Sequence, residues 1–275
     1  MSLYVLAAPL VGLAAAPAAE SESFVAPTPA SFWQPLIGGE SALAITRPAV
    51  VSLISVALIG WFFLGATRRL SIVPSKGQWR AEMAYDFVRN SVARDVIGSK
   101  DFLPFVPLLM TMFSMILVNN LFGILPFVQF PTFSRIAFPI VLTAIVYVVY
   151  HVVGIRRKGG LLPWLKSMVP QGLPGWIVPL MFVLELLTYF VTRPVTLALR
   201  LFGNMFAGHL LLLVFTFGGE FLLLHGAGPL KAAGVLSFGF TIVMTFFELL
   251  VEFLQAFIFT MLAALYIAGA VADEH

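Results

Sequence analysis

RPVTLALRLFGNMFAGHLLLLVF, Arg193 to Phe215, is apolar enough to lie in a bilayer, yet Arg200 sits in its middle with Asn204 and His209 close behind. An arginine or carboxylate at the bilayer centre costs about 2.5–3.5 kcal/mol on insertion scales. A segment that keeps one there needs a reason, and the search for it decides how the rest of the chain is read.

The chain as a whole belongs in lipid. Of its 275 residues 60% are hydrophobic and 11% charged, too few charges to coat a water-soluble surface of this size. Cysteine is absent, which excludes disulfides, thiolate zinc sites and iron–sulfur clusters. A net charge of +3 gives no ground for nucleic acid as a partner. There is no Gly-rich phosphate loop, H-E-x-x-H or G-x-S-x-G pattern, so the chain offers no catalytic centre, cofactor or metal site of a familiar soluble kind.

Three apolar runs have the length that a tilted helix needs to cross about 30 Å of hydrocarbon: residues 48–66, 102–123 and 136–153. Two more, 176–217 and 234–271, would each extend about 60 Å at about 1.5 Å per residue, twice the bilayer core. They must be steeply tilted or broken, with Pro194 the obvious place for a kink. The Gly-rich HGAGP turn, His225 to Pro229, folds them into an antiparallel hairpin. The expected fold is an all-α integral membrane protein of about five crossing helices, forming one membrane domain over 47–275. A surface helix over 76–97 joins them, carrying Trp79, Met83 and Phe87 at helical spacing. Residues 1–46 form a tail, irregular over 20–40. Its first 19 residues resemble a signal peptide without the basic start, so cleavage and retention both stay open.

Loop charges set the orientation. Arg68, Arg69, Lys76, Arg80, Arg89, Arg94 and Lys100 lie between the first two runs, and Arg156, Arg157, Lys158 and Lys166 follow the third. The opposite loops hold only Arg135 and Lys231. The positive-inside rule then puts the N-terminus outside and the C-terminus in the cytoplasm.

Six ionisable residues sit within the two long runs: Glu185, Arg193, Arg200, His209, Glu248 and Glu252. In an antiparallel hairpin, residues at equal depth share an index sum. By that rule Arg200 meets Gln255, Asn204 meets Glu252, and His209 meets Glu248. Thr241, Thr245, Glu248, Glu252 and Gln255 step by four and three along one helical stripe. Arg200 and Asn204 share a face with Arg193, flanked by the small residues Gly203 and Ala207, which leave room for another helix to approach. His209 lies about half a turn away at about 100° per residue. Two surfaces result, one baring Arg200 to a partner and one gathering His209 and the glutamates around a wet cavity. Hydrogen-bonded cross-links would explain Asn204 or Thr245 alone, and also Asn119 and Asn120 in the second span. They do not explain six charges where apolar packing would serve without the burial cost.

RPVTLALRLFGNMFAGH, with ELLVEFLQAFIFTML some forty residues on and VNNLFGILP at Val118 to Pro126, closely resembles subunit a of the F-type ATP synthases. The resemblance covers roughly residues 100–270. It implies a subunit of a rotary complex in a bacterial plasma membrane. The chain would lie in lipid against a ring of c subunits and a peripheral-stalk b subunit, with two offset aqueous half-channels and no covalent chemistry of its own. It places Arg200 at the family's essential arginine, Gln255 and Asn204 at its neighbouring amides, and His209 with Glu248 in the outer half-channel. Glu252 adds a second acid one turn inward. Glu185 matches the acid of the inner half-channel with one departure: it lies nine residues before Pro194 where eight is usual. That shift rotates it about 100° unless a local bulge restores the face. Protons are the expected ion, and a secondary transporter with a midplane charged site is the alternative. Such transporters usually carry internal repeats, and this chain shows none.

Overall fold

Helices form wherever apolar residues run uninterrupted, because a chain in lipid must satisfy its backbone polar groups internally. The computed structural model describes residues 35–37, 45–68, 70–125, 131–169, 172 and 174–272. Most of the tail, including the signal-like stretch, lies outside them. Two short strands, β1 (Pro35–Ile37) and β2 (Ile45–Thr46), pair antiparallel where an irregular tail is expected. Helix α1 follows at once (Arg47–Thr67) with Pro48 in its first turn, where a missing N–H is harmless. Next come α2 (Lys76–Asp86), a π-helical stretch (Phe87–Arg94) and the short α3 (Asp95–Ile97), which ends at Gly98 with φ 98°. Helix α4 (Val106–Ile124) is entered through a 3₁₀ turn at Leu103–Phe105, so Pro104 and Pro107 both fall at a helix start. A second 3₁₀ turn (Thr132–Ser134) leads to α5 (Ala137–Arg157), and α6 (Leu161–Ser167) follows. Helix α7 (Val178–Leu187), a π turn (Thr188–Thr192) and α8 (Arg193–His225) then form one continuous rod of 48 residues. The chain closes with α9 (Pro229–Val271), 43 residues long.

Five helical rods among the described residues are long and apolar enough to cross a membrane. The hairpin turn works as its composition suggests. Gly228 takes φ 55° and ψ −119°, a conformation closed to side-chain-bearing residues, and Pro229 opens α9. Close by, α8 and α9 meet backbone to backbone. A Cβ on Gly234 would lie 3.0 Å from the Gly219 carbonyl oxygen, and one on Gly219 would lie 3.3 Å from that of Gly234. Farther along, α9 is the centre of the bundle, packed against α4, α5 and α8. Ala256, Ala263 and Ala264 are fully buried there with Phe259 and Ile267, and small residues of this kind let neighbouring helices come close.

The outer faces are as apolar as the interior. Trp61, Phe246 and Leu250 stand well exposed, as do dozens of other large side chains. Their solvent is lipid or another protein.

The surface helix divides its expected apolar face. Trp79 and Met83 remain 55% and 54% exposed, whereas Phe87 packs among Phe113, Phe253 and Phe257 with ring centroids 5.6–6.4 Å away. The π stretch beginning at Phe87 turns Val88, Val92 and Ala93 fully into the core.

Candidate ion-translocating site

The middle of the hairpin separates its polar residues by helix face. Leu197, Ala198, Leu201 and Met205 form the buried side of α8, and His209 extends that side with 5% of its surface exposed. Opposite it on α9, Glu248, Glu252 and Gln255 are 6%, 3% and 3% exposed. Arg200, Asn204 and Ala207 face the other way and are exposed. Around Gly203 a Cβ would meet nothing within 4 Å. The outer face of α8 beside Arg200 is thus open over two turns.

The buried cluster is compact. His209 Nδ1 lies 3.0 Å from the Met205 carbonyl oxygen and 3.6 Å from Glu248 Oε1. One potential ligand atom from each of His209, Glu248 and Glu252 falls within 4.8 Å of the others. By donor type, these three are also the residues that could hold a cation. From α4, Asn120 Nδ2 donates to the Glu252 carbonyl oxygen at 3.0 Å. Its own Oδ1, both Glu252 carboxylate oxygens and Gln255 Nε2 are buried with no hydrogen-bond partner among the described residues. Buried polar atoms left this way call for water or a transferable proton.

Two glycines make room for this group. A Cβ on Gly208 would collide with the Glu248 carboxylate, and one on Gly123 with the His209 ring. Gly208→Ala is therefore expected to push Glu248 out of place. Overpacking of this kind costs about 1–3 kcal/mol, which thermal unfolding of the purified protein should read as a lowered midpoint. Gly239→Ala, at a position where a Cβ meets nothing, is expected to leave that midpoint unchanged.

The equal-depth rule holds for His209 with Glu248 and fails one turn away. Asn204 Nδ2 donates to Gln255 Oε1 at 2.8 Å, so Gln255 meets Asn204 rather than Arg200, and Asn204 does not meet Glu252. The cause is helix geometry. Between the Gly219–Gly234 crossing and the Asn204–Gln255 bond, α9 advances further along its axis than α8, so the pairing drifts. Arg200 itself has no hydrogen-bond or ion-pair partner among the described residues.

Arg193 and Glu185 stand apart from the cluster. The Arg193 guanidinium lies 3.5 Å from the Tyr189 ring centroid and 5.0 Å from that of Tyr266, which gives this intramembrane charge a cation–π seat. Glu185 is half-buried on α7, beyond the π turn. His151, near the C-terminal end of α5, is buried among Tyr147, Tyr150, Trp164 and Phe190, with ring centroids 4.0–4.9 Å away. The spacing of Tyr147, Tyr150 and His151 on one face of α5 is the signal that could have found this cluster.

The model of the family described as ATP synthase A chain matches residues 49–268. The chain belongs to that family. It is similar to ATP synthase subunit a of Nocardioides sp., with 43% identity across 94% of this chain and 96% of the relative. Subunit a of Pseudarthrobacter chlorophenolicus is 41% identical over 95% and 98%. That of Streptomyces lividans is 41% identical over 88% and 86%. The matched region of the ATP synthase A chain family contains every candidate residue named above.

Proposed function

We propose that this chain is the proton-translocating subunit a of an ATP synthase. In this reading Arg200 faces a ring of c subunits, and His209, Glu248 and Glu252 line the outer of two half-channels. The observation that carries it is the division of α8 into two faces, with an unpartnered arginine on the open one and a buried acid–imidazole cluster on the other.

The chemistry follows from the residue types. A guanidinium stays protonated in any protein environment, so Arg200 is a fixed positive charge. A carboxyl group carried past it on a neighbouring subunit is favoured as carboxylate and gives up its proton. The same fixed charge repels protons that would pass straight from one half-channel to the other. A lysine could lose its proton when desolvated and would fail at both tasks. Asn204 and Gln255 hold one another beside the arginine and leave its guanidinium to the partner.

On the other face a histidine next to two carboxyls can accept, hold and pass protons along a water path, with Asn120 fixing the backbone at Glu252. Glu185 serves the inner half-channel. The chain performs no covalent step. It works with the c-ring and a peripheral-stalk b subunit in a bacterial plasma membrane, N-terminus outside and C-terminus cytoplasmic.

The choice of ion is tested directly. In sodium-free buffer, vesicles carrying the complete complex are expected to make ATP when acidified on the side that feeds the outer half-channel, and a protonophore should stop them. Synthesis that requires sodium and survives the protonophore would show that the cluster passes a metal cation instead.

A further inference from the structure

The rod α7–α8 contains one irregularity, the π turn at Thr188–Thr192, and it falls between Glu185 and the two arginines. Its defining bond runs from the Arg193 N–H to the Thr188 carbonyl oxygen, five residues back. A π turn of this kind absorbs one extra residue in an otherwise α-helical rod.

The rotation it causes can be counted. Arg193 and Arg200 are seven residues apart and share a face. Glu185 lies eight residues before Arg193, which in an unbroken α-helix would turn it about 80° away from that face. With one residue absorbed, the rod behaves as though seven residues separated them, and the offset falls to about 20°. In an unbroken helix the residue on the arginine face would be Leu186.

Something must hold the turn open, and the hydrogen bonds show what does. In π register the next N–H after that of Arg193 would reach Tyr189, but residue 194 is proline and has none. The Tyr189 carbonyl oxygen is taken instead by the Tyr150 hydroxyl of α5, which donates to it at 2.8 Å. Tyr150 is 1% exposed, and its ring is wedged edge-on against Tyr147 and Tyr266. Tyr266 in turn helps seat Arg193.

We infer that Tyr150 is a positioning residue: its hydroxyl holds the π turn that brings Glu185 onto the same face as Arg193 and Arg200. The inference rests on the proposed role of Glu185 in the inner half-channel. An extra residue in this rod is thereby made harmless, and the rotational register of the rod depends on one hydrogen bond from a neighbouring helix.

The test uses the complete ATP synthase in vesicles, with proton-driven ATP synthesis measured per assembled complex. Tyr150→Phe keeps the ring packing and removes only the hydroxyl. It is expected to lower the rate about fivefold, the effect of losing one buried hydrogen bond on the balance between two registers. Deleting Thr188 in the Tyr150→Phe background should restore most of the rate. The shortened rod is then α-helical, the Arg193 N–H reaches the Tyr189 carbonyl itself, and Glu185 stays on the arginine face. A purely structural loss at Tyr150 would not be rescued this way, and absence of rescue in an assembled complex overturns the inference.

A second pair of variants does not depend on the deletion. Glu185→Gln should be slow, and adding Leu186→Glu to it should not help, because residue 186 is turned off the face. Rescue by the carboxylate at 186 would show an unbroken α-helix and overturn the inference. A wild-type rate in Glu185→Gln would instead remove the role of Glu185 on which the inference rests. A slow Glu185→Gln beside a wild-type Tyr150→Phe removes the inference alone.

Discussion

Arg200→Ala is expected to abolish proton-driven ATP synthesis while the complex still assembles. Assembly should survive because Arg200 makes no hydrogen bond or ion pair among the described residues and lies on an exposed face. The side of α8 that packs, Leu197, Leu201 and Met205, is untouched. In the proposed mechanism the rate should fall because the carboxyl group on the passing subunit loses the fixed counter-charge of Arg200. A mid-membrane charge costs about 2.5–3.5 kcal/mol, and a deficit of that size slows a step by about 70- to 400-fold. A second effect should accompany the first. With the barrier to direct passage gone, the assembled complex should leak protons when it is not turning. The measurement is synthesis and passive proton uptake in the same vesicles, normalised to assembled complex. Intact synthesis in Arg200→Ala would end the proposed mechanism. Intact synthesis in Arg200→Lys would show that any positive charge suffices and that permanent protonation is not the point.

The parts of this architecture that depend on composition and periodicity were legible in the sequence. Apolar runs of the right length became the five rods, and the HGAGP turn closed the hairpin with Gly228 at a glycine-only conformation. The division of α8 into two faces follows from the nine-position step from Arg200 to His209, since regular helix geometry fixes that angle. What depends on the relative slide of two helices was not legible. Asn204 takes Gln255 because α9 covers more length than α8 over the same depth, and no local pattern encodes that. The helical spacing of Trp79, Met83 and Phe87 predicts a single surface face, but the π stretch rotates the second half of that helix into the core. The π turn before Pro194 is a similar case. The sequence shows Glu185 one residue out of register, and only the backbone shows how the extra residue is accommodated. Tyr150, thirty-nine residues from the carbonyl it holds, carries no sign of that contact in its own neighbourhood.

Glu248→Gln and His209→Ala should each slow synthesis strongly without the leak expected of Arg200→Ala. Glu248 and His209 face each other at 3.6 Å on the buried side of the hairpin, half a turn away from the open face of Arg200. In the proposed mechanism, removing either breaks a path by which protons arrive but leaves the fixed charge of Arg200 that separates the half-channels. Glutamine at 248 keeps the shape of glutamate but cannot take up or release a proton, so the loss should exceed any packing effect. Taking general acid–base transfer as worth about 10²–10⁴ in rate, a fall of about 100-fold is expected for Glu248→Gln. His209→Ala also empties space against Gly123, into which water can move, so its loss should be the smaller of the two. Glu252 lies within reach of both and offers a partial detour, which the pair Glu248→Gln with Glu252→Gln should close. The discriminating measurement is proton uptake in the absence of turnover. A large uncoupled leak in Glu248→Gln would mean that the cluster, and not Arg200, holds the two half-channels apart.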